Sequence, residues 1–224
     1  MKSYILFILC FSFVFFAQAQ DLIDKKKLPN DVRWVMHSKE YIALCEQIYD
    51  NAFQSLQYEI NNASNPIIVM DLDETVLDNS KYQKELFFTS STYNENSWNR
   101  WVKTEVSDLV PGAKKFILKY KKEKNARIIY ISNRSQETLD ATISNMKKLG
   151  IFFDDDLFLL RANARDSKII RRQEVLDGTN RMVKYGPQKI IAYFGDAIGD
   201  FPINDQYRFS DNKFIFPNPM YGKW

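Results

Sequence analysis

Short, uninterrupted apolar runs recur along the chain, and the longer stretches between them carry apolar residues at helical spacing. The runs are Ile67–Met70, Ile128–Ile131, Leu157–Leu160, Ile190–Phe194 and Phe214–Phe216. Runs without a polar face fit strands covered on both sides of a parallel sheet. The pattern predicts strands at 66–70, 127–131, 157–160, 189–194 and 213–216. Between them it predicts helices at 39–61, 112–124, 135–149 and near 167–177. The third helix closes on Lys147-Lys148-Leu149-Gly150, cations and then a glycine where a helix ends. A polar, aromatic stretch at 79–110 interrupts the alternation, and there are no repeats or long linkers. Strands alternating with helices imply an α/β fold, a Rossmann-like parallel sheet with helices on both faces and a small insert.

The N-terminus reads differently. Lys2 precedes an uncharged run from Ile5 to Phe16, and Ala17-Gln18-Ala19 follows. A positive start, an apolar core too short to span a bilayer and small residues at the cleavage positions predict a secretory signal over 1–19. A buried N-terminal helix is the alternative, but the segment has no polar face. The mature chain is then expected to begin at Gln20 as one domain, 20–224, opening with a helical segment at 31–62. Its expected location is periplasmic or secreted. Cys10 follows Leu9 within the apolar run, a poor context for lipid attachment, so an outer-membrane lipoprotein is less expected. With Cys10 removed, Cys45 has no intramolecular partner. Its setting in Tyr41-Ile42-Ala43-Leu44-Cys45 reads as a buried, inert thiol.

Composition adds little. The net charge of +3 is a small difference between 31 basic and 28 acidic residues that argues neither for nor against a nucleic-acid partner, and the basic ones are scattered; no nucleic-acid polymer is expected as a partner. His37, the sole histidine, sits far from every motif and is given no role.

In a parallel sheet, ligands bind beyond the carboxyl ends of the strands, and polar residues collect there. The first run ends in Asp71-Leu72-Asp73-Glu74-Thr75, the second in Ser132-Asn133-Arg134, and the fourth in Gly195-Asp196-Ala197-Ile198-Gly199-Asp200. Asp166-Ser167-Lys168 enters the helix near 170. Each alone has an ordinary reading: a helix-capping serine, a solvated lysine, an acidic turn. Together and in order, they resemble the haloacid dehalogenase superfamily of phosphoryl-transfer enzymes. Asp71 to Asn79, Ser132-Asn133-Arg134, Ser167-Lys168 to Arg171-Arg172 and Asn218-Pro219-Met220-Tyr221-Gly222-Lys223-Trp224 look more narrowly like the class C bacterial acid phosphatases, which include the lipoprotein e 5'-nucleotidases. Ala197 departs from that family's usual asparagine.

The resemblance implies Mg²⁺-dependent hydrolysis of phosphomonoesters, nucleoside monophosphates among them, through an aspartyl-phosphate. Asp71 would be nucleophile and metal ligand. Asp73 would be general acid–base and a ligand through its backbone carbonyl, and Asp196 the second carboxylate ligand. Alternate residues of an extended chain face one side about 7 Å apart, so Asp71 and Asp73 can address one phosphate, and hard oxygen ligands suit Mg²⁺. Ser132 and Lys168 would stabilise the phosphoryl oxygens, Asp200 would orient a metal-bound water, and Thr75 would hold the loop. Glu74 is expected to face solvent or a basic neighbour, and Asp78 to cap the loop. Asn133 and Arg134 are expected at the substrate, and Trp98, from the cap insert at 79–110, is expected to stack a nucleobase against Tyr221. A homodimer follows from the family alone. A broad-specificity phosphatase or a phosphotransferase of the same superfamily would keep these motifs and differ in the insert. A non-catalytic surface binding protein would typically have lost Asp71, Lys168 or Asp196.

Overall fold

β1 (Ile67–Met70) lies at the middle of a five-stranded sheet. The structure is a computed structural model and describes residues 27–204 and 206–222. The expected signal at 1–19 with Cys10, the start at Gln20 and the closing Lys223-Trp224 lie outside the described residues. Before β1 come α1 (Asn30–His37), α2 (Lys39–Ser55) and α3 (Gln57–Asn62). The helix expected over 39–61 is thus two, divided at Leu56.

After β1 the chain enters the insert, formed by β2 (Leu77–Asp78), α4 (Ser80–Phe88), α5 (Glu95–Thr104) and β3 (Asp108–Leu109). β2 and β3 pair antiparallel, Leu77 with Leu109 and Asp78 with Asp108, so the insert leaves and rejoins the body at one point. The α/β alternation resumes with α6 (Ala113–Tyr120), β4 (Arg127–Ser135), α7 (Leu139–Leu149), β5 (Leu157–Arg161), α8 (Lys168–Asp177), β6 (Ile190–Gly195) and β7 (Lys213–Ile215). The sheet order is β5-β4-β1-β6-β7, with every pairing parallel. β1 is flanked by β4 on one side and β6 on the other, the point where strand order reverses and an open α/β sheet leaves its ligand crevice.

Alternation along the strands divides the core into two layers. Ile68, Met70, Ile128, Tyr130 and Phe194 face α2, α6 and α7, while Val69, Ile129, Ile131 and Tyr193 face Val175 of α8 and Met182. A third, small cluster of Tyr82, Trp98 and Val102 gives the insert its own core. Two expected helices are shorter than their patterns. α6 stops at Tyr120, where a turn closes with Asn125 at φ 58°. The stretch expected as helix from 135 opens with a 3₁₀ turn at Gln136–Thr138 because β4 continues through Ser135. Ser132 and Arg134 therefore point inward together, and Asn133 outward.

α2 fixes the loop that follows β1. Ser38 caps it by accepting from the Tyr41 amide at 3.0 Å, and its buried face carries Tyr41, Cys45, Tyr49, Ala52 and Phe53. Cys45 is buried, and burial pushes its thiol up to about 12, which makes it the inert thiol expected. The Tyr49 hydroxyl donates 2.6 Å to the carbonyl of Thr75, inside the acidic motif. Leaving a buried carbonyl without a donor costs about 1–3 kcal/mol. Tyr49→Phe should therefore lower unfolding stability by about that amount, seen as a shifted urea midpoint with unchanged slope, and should lower turnover through the loop.

Candidate active site

The acidic motif begins as an extension of the sheet, with the Asp71 amide donating 2.9 Å to the Phe194 carbonyl of β6. The chain then coils tightly. The amides of Val76 and Leu77 both donate to the Leu72 carbonyl at 2.8 Å, and Glu74 takes a left-handed φ of 56°. Leu72, Val76 and Leu77 anchor this coil in the core. Asp71 and Asp73 are held at the carboxyl end of β1 on a loop with no slack.

Lys168, the first residue of α8, lies 2.7 Å from Asp71 Oδ1 and also bonds Asp200 Oδ1. Asp71, Asp196 and Asp200 each bring a carboxylate oxygen to within 4.8 Å of the others. Asp200 is oriented by the Ala197 amide, 3.0 Å from its Oδ2, and Asp196 by Asn218 Nδ2 at 2.7 Å. Burial pushes Asp71 well above the usual carboxylate range, and Asp200, Asp196 and Asp73 add to the effect against the opposing pull of Lys168. Asp196 is raised to about 6, by burial first and by Asp200 next. Burial alone would lower Lys168, but the Asp71 and Asp200 carboxylates outweigh it and hold the ammonium charged. Crowded hard oxygen donors of this kind fit a divalent cation of the Mg²⁺ type.

Asp73 stays outside that cluster. Its Oδ1 accepts from Arg134 Nε at 2.9 Å and from Asn79 Nδ2 at 3.0 Å, while Oδ2 lies 3.4 Å from Ser132 Oγ. Arg134 was expected at the substrate. It is instead buried, and its guanidinium is bonded to Asp73, Thr142 and Asn79. The inward register of β4 turns it away from solvent. Asn133 faces outward with Oδ1 on Arg171 at 2.6 Å. Trp98, expected to stack a nucleobase, lies inside the insert. It is only 8% exposed and packs edge-on against Tyr82 within the insert's core. Tyr221 is 36% exposed, a few residues past Asn218. Thr75 is fully buried. Glu74 was expected to face solvent or a basic neighbour, and the structure corrects both. The left-handed turn carries it inside, where Oε1 accepts from the Asn79 amide at 2.9 Å and burial raises its pKa strongly. Asp78 accepts from the Ser80 amide at 2.8 Å, as a loop cap would.

Three residues with no assigned role hold the site together. Arg171 is fully buried and donates to the backbone carbonyls of Ser132, Leu159 and Asp166, binding β4 and β5 to the loop before α8. Asn218 ties the C-terminal tail to Asp196, and Asn79 joins Asp73 to the insert. All three stand in the quoted motifs, but an arginine within a helix and an asparagine before one read as surface and cap.

A family model described as HAD superfamily, subfamily IIIB (Acid phosphatase), matches residues 3–224. The chain belongs to this family. It is a phosphoric monoester hydrolase of the acid phosphatase type. Crystal structures of the class C acid phosphatase from Bacillus anthracis, one with tungstate bound, are 30% identical with a TM-score of 0.71, over 86% of this chain and 84% of that one. The stem 31 kDa glycoprotein of Glycine max is 26% identical over 95% of this chain and 82% of its own length. Acid phosphatase 1 of Solanum lycopersicum is 21% identical over the same shares. Phosphatases of this superfamily typically use a divalent metal, in keeping with the acidic cluster. Among the described residues no helix is long and apolar enough to cross a membrane.

In this phosphatase the end of β6 is packed without room for a side chain, because a Cβ at Gly195 would overlap the Asp200 side chain. Gly195→Ala should push Asp200 off Lys168 and the Ala197 amide and lower kcat/KM by about tenfold or more, about 1.4 kcal/mol of transition-state stabilisation. Overpacking should also cost about 1–3 kcal/mol of stability. Gly199→Ala, with open space at its Cβ, is the control. Steady-state kinetics and urea unfolding of both variants check this.

Proposed function

We propose that the chain is a Mg²⁺-dependent acid phosphatase acting on nucleoside monophosphates through an aspartyl-phosphate on Asp71. The observation that carries this reading is the placement of Asp71 within 2.7 Å of Lys168 and beside Asp196 and Asp200, with Asp73 and Ser132 adjacent. An Asp71 carboxylate oxygen attacks phosphorus as the bond to the ester oxygen breaks, and Asp73 gives its proton to the departing alcohol. Asp73, now a carboxylate, takes a proton from water as that water attacks the acyl phosphate and frees Asp71. Lys168 and Ser132 stabilise the equatorial phosphoryl oxygens. Asp71, Asp196 and the Asp73 carbonyl would hold Mg²⁺, with Asp200 orienting a bound water, and the cation would supply positive charge to the transferring phosphoryl group.

The nucleotide reading rests on the family resemblance and on Tyr221, whose partly exposed ring stands near the tail residue that grips Asp196. With Trp98 buried, the exposed cap aromatic is Tyr93, whose ring centroid lies 6.5 Å from that of Trp98. Export to the periplasm or exterior rests on the N-terminal residues 1–19, and a homodimer on the family alone.

Asp71→Asn should abolish turnover of 4-nitrophenyl phosphate, and EDTA should do the same to the wild type with recovery on added Mg²⁺. Activity of Asp71→Asn at even a tenth of wild type contradicts the covalent route. Stacking on one ring is worth about 1–3 kcal/mol, so Tyr221→Ala should raise KM for adenosine monophosphate about 5- to 150-fold with kcat nearly unchanged. Glycerol phosphate, which has no ring, should be handled as before. Equal losses on both substrates would make Tyr221 structural.

A further inference from the structure

Asn79 occupies the position before α4 where an asparagine ordinarily caps the helix, yet its side chain makes no capping bond. It is fully buried and turned into the body instead. Nδ2 donates to Asp73 Oδ1 at 3.0 Å and to the Leu77 carbonyl at 3.2 Å. Oδ1 faces three donors: Ser107 Oγ at 2.7 Å, Arg134 at 3.3 Å and Trp101 Nε1 at 3.4 Å. Only one orientation of the amide satisfies this ring of partners, since acceptors stand on one side and donors on the other. Its main-chain amide is also taken, by Glu74.

These partners come from both ends of the insert. Asn79 stands at its entry, Trp101 lies on its second helix, and Ser107 lies at its exit. Ser107 is itself fixed to the body, its amide and carbonyl both bonded to Asn145 of α7 at 3.1 and 3.2 Å. Arg134 closes the circle from β4, with Nε and NH2 on the same Asp73 oxygen that Asn79 holds. Asp73 Oδ1 is saturated from one side. Oδ2 is left beside Ser132, the oxygen on the phosphoryl side.

We propose that Asn79 is a positioning residue for the acid–base carboxylate. It locks Asp73 with Oδ2 toward the leaving group and makes that alignment depend on how the cap's exit at Ser107 is seated on the body. The inference rests on the acid–base reading of Asp73 above. It deepens that reading by tying proton delivery to the insert, whose entry at Asn79 bonds Asp73 and whose exit at Ser107 bonds Asn79. The chemistry Asn79 influences is one event, the passage of a proton from Asp73 Oδ2 to the ester oxygen as the phosphorus–oxygen bond breaks.

That event matters for some substrates more than others. An alkyl phosphate such as glycerol phosphate expels a strongly basic oxygen and needs the proton. 4-Nitrophenyl phosphate expels a stabilised anion and needs it little. The readout is the ratio of kcat/KM for the two esters, which reports steps up to phosphoryl transfer and does not move when protein is merely lost or unfolded. Removing Asn79's grip should lose part of the roughly 10²–10⁴-fold that general acid transfer supplies. Asn79→Ala should thus lower kcat/KM on glycerol phosphate about 10- to 100-fold, and on 4-nitrophenyl phosphate about 3-fold or less. Ser107→Ala, which touches neither Asp73 nor substrate, should shift the ratio the same way by a smaller factor. The double variant should add little beyond Asn79→Ala, because both act through one amide.

Equal losses on both esters for Asn79→Ala, or a Ser107→Ala ratio identical to wild type, overturn the proposal. If Asn79→Ala fails to fold, Ser107→Ala alone decides by the same criterion. Asp73→Asn is measured alongside. A strong ester preference there with none in the Asn79 and Ser107 variants defeats the positioning role alone, whereas no preference even in Asp73→Asn defeats the acid–base reading and the positioning role together.

Discussion

Three carboxylates share a space less than 5 Å across at the end of β1, and a single lysine stands among them. Two like charges 4.8 Å apart repel by about 3 kcal/mol at an effective dielectric of about 20. Three such pairs approach the whole folding stability of an ordinary domain, about 5–15 kcal/mol. The fold cannot hold Asp71, Asp196 and Asp200 all ionised without positive charge between them. Lys168 supplies one unit, set by its place as the first residue of α8. Burial first, and the neighbouring carboxylates after it, raise the proton affinities of Asp71 and Asp196 in spite of Lys168, and crowded hard oxygen donors of this kind suit a divalent cation.

The rest of the molecule reads as support for that arrangement. β1 places Asp71 at the switch point of the sheet, and Gly195 lets Asp200 approach. Arg171 fastens the Lys168 loop to β4 and β5. Asn218 draws the tail over Asp196. Asp73 is kept out of the cluster by Arg134 and Asn79, so this carboxylate has a counter-ion of its own. Two acids two residues apart on one loop thus meet different partners.

Unlike β2 and β3 of the insert, which had no such signal, the five strands of the main sheet were legible in their apolar parts, because residues buried on both faces leave continuous apolar runs. So were the four acidic and basic motifs, since a parallel sheet gathers its ligands at strand ends. Helix ends and β4 were not, because Ser132-Asn133-Arg134-Ser135 has the composition of a loop and becomes strand only by pairing with β5. The partners of the charges were least legible of all. Arg134 meets Asp73 across 61 positions and Arg171 meets Asn133 across 38, separations no local pattern encodes. The burial of Trp98 was illegible for a related reason: in a small insert the same aromatics that could serve a ligand also build its core.

If Lys168 and a divalent cation answer the same negative charge, removing the lysine's charge should strengthen cation binding even as it destroys catalysis. Calorimetric titration of Mg²⁺ into the metal-free wild type and into Lys168→Met, with turnover measured on the same samples, tests this. The account predicts tighter Mg²⁺ binding by several-fold or more in Lys168→Met, together with collapsed turnover. Unchanged or weaker Mg²⁺ binding in Lys168→Met would contradict it.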